Sequence, residues 1–86
     1  MILMQPYMIE PDRSHPMRHQ IDLYVEVVNH LATEYGALLV QTQTAFDRVL
    51  QLTKPGDWAD DQIHPNAAGH MVIAIEFLRS VGADLG

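Results

Sequence analysis

Two short apolar runs on either side of a long helical pattern limit the possible folds more than any other feature of this 86-residue chain. The first run, residues 2–8, contains Pro6 and predicts a buried strand that ends near the proline. Across residues 17–35, apolar side chains recur at steps of three and four, which predicts one amphipathic helix. Gly36 suits its C-terminal cap, and residues 37–40 predict a second buried strand. Strand, helix and strand with short connections predict a right-handed βαβ unit with parallel strands.

Two further helices are expected after the second strand. The first should begin near Ala45, with Thr42 or Thr44 as its cap, and bury one face. A polar loop follows, and Asn66 can cap a last helix that runs to about Val81. Because apolar residues cover more than one face of that last helix, we expect it to be buried on more than one side.

These elements predict an α/β fold with one partial domain over residues 1–86. A two-stranded parallel sheet has two open edges, and strands that are buried on both faces need neighbours. The chain therefore has the pattern of one part of a larger fold. The alternative is a non-catalytic module that covers its open edges and its apolar last helix by assembling with another copy.

Composition argues against several classes of partner. The chain has 5 basic and 11 acidic residues, a net charge of −6 and no cysteine. We expect no nucleic-acid partner, since there is no basic patch, and no membrane partner, since no apolar run approaches the length of a membrane helix. The first four residues lack the features of a signal peptide. A cytoplasmic location is expected, and the lack of cysteine is compatible with it.

No metal and no cofactor are expected. The four histidines outside the main motif do not form a ligand set. Pro16 separates His15 from His19, His30 lies on the polar side of the long helix, and the six-residue spacing of His70 from His64 is unfavourable on a helix. A catalytic metal site needs three converging protein ligands.

The segment Asp61-Gln62-Ile63-His64-Pro65 carries the recognisable chemistry. Histidine can take up and return a proton near neutral pH, and a carboxylate on its Nδ1–H fixes the tautomer that acts as a base. An aspartate three residues earlier in a turn can fold back onto the ring. Pro65 restricts His64 to an extended backbone and suits the start of the following helix. The spacing alone favours ordinary turn and surface residues, because a single Asp-x-x-His pattern is a weak signal of catalysis.

The segment resembles the last conserved block of the SGNH, or GDSL, hydrolases, in which Asp-x-x-His-Pro supplies the acid and base of a Ser-His-Asp triad. Residues 2–7, 31–37, 40–47, 58–70 and 74–78 also look like successive parts of this family's closing pattern, so the resemblance covers nearly the whole chain. It implies the C-terminal part of a flavodoxin-like three-layer α/β/α fold. It also implies that His64 is the general base and that Asp61 orients it. Trp58 is a candidate for a contact with the sugar substrate, and the alternative is that it anchors the loop by packing on the last helix. The branch with the most similar segments, the sugar acetyl esterases, implies hydrolysis of an acetyl ester on a sugar.

The chain departs from the family at the nucleophile. The family's Gly-Asp-Ser segment and the glycine and asparagine of its oxyanion hole have no counterpart here. Ser14 lies in a proline-rich loop and Ser80 at a helix end, so neither has the strand-to-helix turn that presents a nucleophile. We therefore expect a fragment that is inactive alone and that acts by association with the missing N-terminal portion or as a homo-oligomer.

Overall fold

The computed structural model describes residues 1–82. In chain order, the elements are β1 (Ile2–Met4), α1 (Pro16–Tyr35), β2 (Leu38–Val40), α2 (Thr42–Val49), a 3-10 turn (Pro55–Asp57) and α3 (Ala67–Ser80). The strands pair in parallel, with Leu3 opposite Leu39. The predicted order of two parallel strands and three helices is therefore confirmed, although β1 stops at Met4, well before the end of its apolar run.

Helix α1 begins one residue before the predicted start at Met17 and ends at Tyr35, as predicted. Pro16 occupies the first helical position, where its missing N–H costs no hydrogen bond. The ring Nδ1 of His15 accepts from the Met17 N–H at 3.2 Å and so caps the helix. At the other end, Gly36 is left-handed with φ 63°, and the Ala37 N–H donates back into the last turn.

Helix α2 begins three residues before the predicted start near Ala45. The prediction of a threonine cap is wrong, because Thr42 is itself the first helical residue and is fully buried. The early start places Gln43 inside the helix, facing the segment that follows β1. Its amide accepts from the Met8 N–H at 2.7 Å and donates to the Met8 carbonyl at 3.1 Å, as a neighbouring strand would.

The hydrophobic core lies between α2, α3 and the loop that connects them. Its fully enclosed members are Ile9, Phe46, Leu50 and Ala59, with Tyr7 packed against Phe46 at a ring-centroid distance of 5.0 Å. The face expected to be buried consists of Phe46, Val49 and Leu50. Phe46 and Leu50 are buried, as predicted, and Val49 is partly buried against the core. The segment after β1 thus contributes Ile9 and Tyr7 to the core beside the side chains of the helices.

Two expectations of burial are wrong. Both strands leave side chains exposed, and in α3 only Gly69 is buried, while Met71 is 60% exposed. The reason is that α3 packs mainly against α2 and β2 among the described elements, which leaves much of its broad apolar surface exposed. We call the following exposed residues of the sheet and helices the open apolar residues: Ile2, Met4, Tyr24, Val27, Leu31, Leu38, Ile75, Leu78.

Within residues 1–82, no helix combines the length and the hydropathy that a membrane-crossing helix requires.

One buried cation joins three parts of the fold. Arg18 is 1% exposed and donates to Asp22 at 2.8 Å, to Asp47 at 2.9 Å and to the backbone carbonyl of Glu10. Burial would lower the pKa of the guanidinium, but the hydrogen bonds that it donates to the two carboxylates outweigh burial and raise the pKa of Arg18. The charge therefore remains, and it links α1 to α2 and to the segment after β1.

Replacing Arg18 with alanine is expected to lower the free energy of unfolding by about 3–5 kcal/mol, because two partly buried carboxylates lose their main partner. Urea denaturation followed by circular dichroism measures this loss. Arg13→Ala is the matched control, since Arg13 contacts the same Asp22 and Asp47 with 69% of its side chain exposed. An exposed pair is worth less than about 1 kcal/mol. Equal losses in the two variants would contradict the structural role of the buried cation.

Candidate acid–base site

The loop between α2 and α3 is closed at its base. Ala59 and Pro65 form an antiparallel bridge, and the Asn66 N–H donates to the Trp58 carbonyl at 2.8 Å. The closure leaves residues 60–64 as a short tip that contains the Asp-x-x-His motif. The motif is therefore held on a closed loop and not on a free chain.

The beginning of α3 holds the same loop from the other side. The Asn66 side chain accepts from the Gly69 N–H at 2.9 Å and donates to the Asp57 carbonyl at 3.0 Å. Asparagine is a preferred N-cap because its oxygen satisfies a free N–H of the first turn. The predicted cap is confirmed, and it fixes the loop tip beside the first turn of α3.

Asp61 and His64 are brought together at the loop tip. Asp61 Oδ2 lies 2.5 Å from His64 Nδ1, while Oδ1 accepts from the N–H groups of Ile63 at 3.0 Å and His64 at 2.7 Å. A short polar side chain that accepts from the backbone two and three residues later is typical of aspartate in turns. The same turn that bonds Asp61 to the backbone therefore also places its second oxygen on the imidazole.

The electrostatics of the pair favour one arrangement of protons. The hydrogen bond from the His64 ring, followed by those from the His64 and Ile63 N–H groups, holds the pKa of Asp61 well below its ordinary value. An ionised carboxylate only accepts, so His64 Nδ1 must carry the proton and Nε2 of the neutral ring is a free base. The His64 side chain is 86% exposed. Asp61 thus orients the imidazole through Nδ1, and the side chain remains open to solvent.

Asp60 and Trp58 have different surroundings from the pair. Asp60 is exposed, and it is Asp61 that bonds to His64, as the spacing predicted. The indole of Trp58 packs against the core and donates to Thr53 Oγ1 at 2.7 Å. That contact anchors the loop, and the substrate contact of Trp58 stays a prediction.

The two serines of the chain have partners of their own. Ser14 donates to Asp12 Oδ1 at 2.6 Å, and Ser80 donates to the Glu76 carbonyl at 2.8 Å inside α3. Neither hydroxyl bonds to His64 in the described part of the chain. Across residues 1–82, no three histidine or acidic side chains come together as metal ligands.

Some residues that bear on the site carry no signal in the sequence. Gln62 lies between the pair and is bonded to Glu10, 52 residues away in the chain. Tyr7 lies near enough that burial, and then the charge of Asp61, raise the pKa of its hydroxyl. Both contacts depend on the path of the segment after β1, and no local pattern reveals that path.

Comparison with known proteins identifies similar hydrolases. No protein-family model matches the chain. An acetylxylan esterase of Geobacillus stearothermophilus is 46% identical over 81 residues, which span 94% of this chain and 37% of that protein. The crystal structure of an acetylxylan esterase from the same organism is 44% identical with a TM-score of 0.94, covering 96% of this chain and 38% of that one. Further structures of that esterase are described as catalytic mutants, in which a serine, an aspartate or a histidine is replaced by alanine.

A second solved structure supports the same fold. An alpha/beta hydrolase enzyme from the metagenome of Lake Arreo, Spain, is 50% identical with a TM-score of 0.92, covering 95% of this chain and 38% of that one. The chain thus spans less than two fifths of the relatives that it matches. The predicted fold class is confirmed: the chain is α/β, with the backbone of part of a hydrolase fold and consistent with its C-terminal part.

Close packing at Gly69 provides a test of the loop's support. A Cβ at this position would lie 2.5 Å from the Trp58 carbonyl oxygen and 2.6 Å from Pro65 Cβ. Gly69→Ala is therefore expected to cost roughly 1–3 kcal/mol of unfolding free energy and to shift the loop away from α3. Gly56→Ala is the control, because nothing lies within 4 Å of its Cβ. Thermal unfolding measures both, and a Gly69→Ala variant as stable as the control would contradict this packing.

Proposed function

We propose that this chain supplies the acid–base half of an SGNH-type serine esterase that removes acetyl groups from a carbohydrate. The observation that carries the proposal is the 2.5 Å contact between Asp61 Oδ2 and His64 Nδ1, with the histidine open to solvent. The similarity to an acetylxylan esterase supports the substrate class. In the mutants of that esterase, the replaced aspartate and histidine are three positions apart, which is the spacing of Asp61 and His64.

In the proposed reaction, His64 Nε2 removes the proton from a serine hydroxyl as its oxygen attacks the acetyl carbonyl. Asp61 stabilises the imidazolium that forms. His64 then gives the proton to the departing sugar oxygen, which leaves an acetyl group on the serine. Water then attacks the acetyl carbonyl while His64 takes one of its protons. The bond from that carbonyl to the serine oxygen breaks, His64 returns the proton to the serine oxygen, and the acetyl group leaves as acetic acid, which ionises to acetate.

The serine and the oxyanion hole must come from protein that packs beside this chain. Ser14 and Ser80 are bonded elsewhere, and a triad without its serine and oxyanion donors loses nearly all catalysis. The open apolar residues offer the surface for such packing, since large exposed apolar areas mark interaction sites. We therefore propose a partner with the remaining part of a hydrolase fold, joined to this chain or separate from it.

A chimera tests the proposal directly. The chain replaces the matching segment of the Geobacillus acetylxylan esterase, and release of acetate from acetylated xylose is measured. The chimera is expected to be active, whereas this chain alone is not. Within the chimera, His64→Ala and Asp61→Asn should each lower kcat by about 10³–10⁴-fold, because the base or its orientation is lost.

The matched controls are His70→Ala and Asp60→Asn, which replace the nearest exposed residues of the same type. Both should keep the activity of the chimera. Hydrolysis by the chain alone, or a folded chimera in which His64→Ala has no effect, would contradict the proposal.

A second candidate function is a non-catalytic module that assembles with copies of itself. The exposure of the open apolar residues favours it, because another copy could cover them. Light scattering of the chain alone is expected to show a dimer or larger assembly if this module exists. A stable monomer at micromolar concentration would contradict self-assembly and leave the half-site function in place.

A further inference from the structure

Gln62 adopts a backbone conformation that its residue type disfavours. Its φ is 68°, and within residues 1–82 it is the one non-glycine residue with positive φ. A Cβ crowds the backbone in this left-handed region, so such a residue persists only where its surroundings hold it. Gln62 lies between Asp61 and His64, so the same conformation directs the chain from the carboxylate to the imidazole.

Two hydrogen bonds hold Gln62 in place. Its carbonyl accepts from the Ile9 N–H at 2.8 Å, and its Nε2 donates to Glu10 Oε1 at 2.6 Å. Ile9 is fully buried, and the second oxygen of Glu10 accepts from the Asp12 N–H at 3.1 Å. Among the hydrogen bonds of residues 60–64 within the described chain, those that leave the loop tip all involve Gln62.

The segment to which Gln62 is bonded is itself fixed from two sides. Gln43 of α2 bonds both backbone groups of Met8, and Arg18 of α1 donates to the Glu10 carbonyl. The Asp61–His64 turn is exposed, yet one residue of it is tied to the most enclosed part of the chain.

We infer that Gln62 is a positioning residue of the acid–base pair: its bonds to Ile9 and Glu10 hold the left-handed turn that places Asp61 on His64 Nδ1. Its importance for ester hydrolysis rests on the proposed function, whereas its effect on the Asp61–His64 bond does not. A return of Gln62 to a right-handed backbone would redirect the chain at Ile63 and move the imidazole away from the carboxylate.

The test uses the 86-residue chain and two variants of Gln62. Gln62→Glu places two carboxylates against each other at Glu10, which breaks the side-chain bond. Gln62→Gly keeps the left-handed backbone available and removes the amide without adding a charge. The matched control is Gln51→Glu, an exposed glutamine that takes up the same charge away from the loop.

The double variant Glu10→Gln with Gln62→Glu is the rescue. It exchanges the two side chains, so an amide at position 10 donates to a carboxylate at position 62. The amide oxygen still accepts from the Asp12 N–H. The net charge equals that of the original chain, and the hydrogen bond is rebuilt in the opposite direction.

Two NMR readouts report on the pair itself. The first is the exchange rate of the His64 Nδ1 proton with water, and the second is the pKa of the Asp61 carboxyl, followed by its carbon resonance. Both Gln62 variants should speed the exchange by about tenfold and raise the pKa of Asp61 toward its ordinary value. The double variant should return both readouts to those of the original chain, and Gln51→Glu should leave them unchanged.

The results distinguish a failure of the positioning role of Gln62 from a failure of the esterase proposal. If Gln62→Gly folds and leaves both readouts unchanged, or if the double variant recovers neither, Gln62 does not position the pair. In the active chimera, Gln62→Gly should lower kcat about tenfold with KM unchanged. An inactive chimera together with loosened NMR readouts would overturn the esterase proposal and leave the positioning role intact.

Discussion

The buried Arg18 guanidinium is the interaction on which the rest of the structure depends. Each strand has only three residues, so the pairing of β1 with β2 alone orders little of the chain. A buried charge is stable only with well-placed partners, and Arg18 finds them in Asp22, Asp47 and the Glu10 carbonyl. Satisfying that charge sets the spacing of α1 and α2 and the path of the segment between β1 and α1.

That path connects the hydrophobic core to the loop that carries Asp61 and His64. The segment after β1 supplies Ile9 to the core and, through its N–H and the Glu10 carboxylate, hydrogen bonds to the loop that carries Asp61 and His64. An exposed loop is ordinarily mobile, whereas the base that we propose for His64 must keep one orientation. In this fold the imidazole of His64 is exposed, while its loop is held in place through the hydrogen bonds of Gln62.

The proposed function explains both the exposed apolar surface and the lack of a nucleophile beside His64 in the described part of the chain. Strands with open edges and a helix with uncovered apolar residues need further protein beside them, and a histidine base needs a nucleophile. The remaining part of a hydrolase fold would supply both. The chain covers less than two fifths of the esterase that it matches, which agrees with a division of this kind.

Much of the fold and half of the site could be predicted because their signals are local. Helix caps, the βαβ order and the three-residue spacing of Asp61 and His64 depend on neighbouring residues and on backbone rules that hold in any context. The early start of α2 could not be predicted from the sequence, because it follows from the burial of Thr42 and from the hydrogen bond between Gln43 and Met8. The burial expected of α3 was wrong because an apolar pattern shows what a helix can cover and not whether a partner is there.

The sequence by itself determined the order of the elements and placed an aspartate within one turn of a histidine, since propensity, capping and turn chemistry act over a few residues. Only the tertiary structure decided that Gln62 would be left-handed and that Glu10 would hold it, since these residues meet across 52 positions of the chain. Contacts at that separation depend on where Arg18 and the core place two distant segments. No local pattern contains that information.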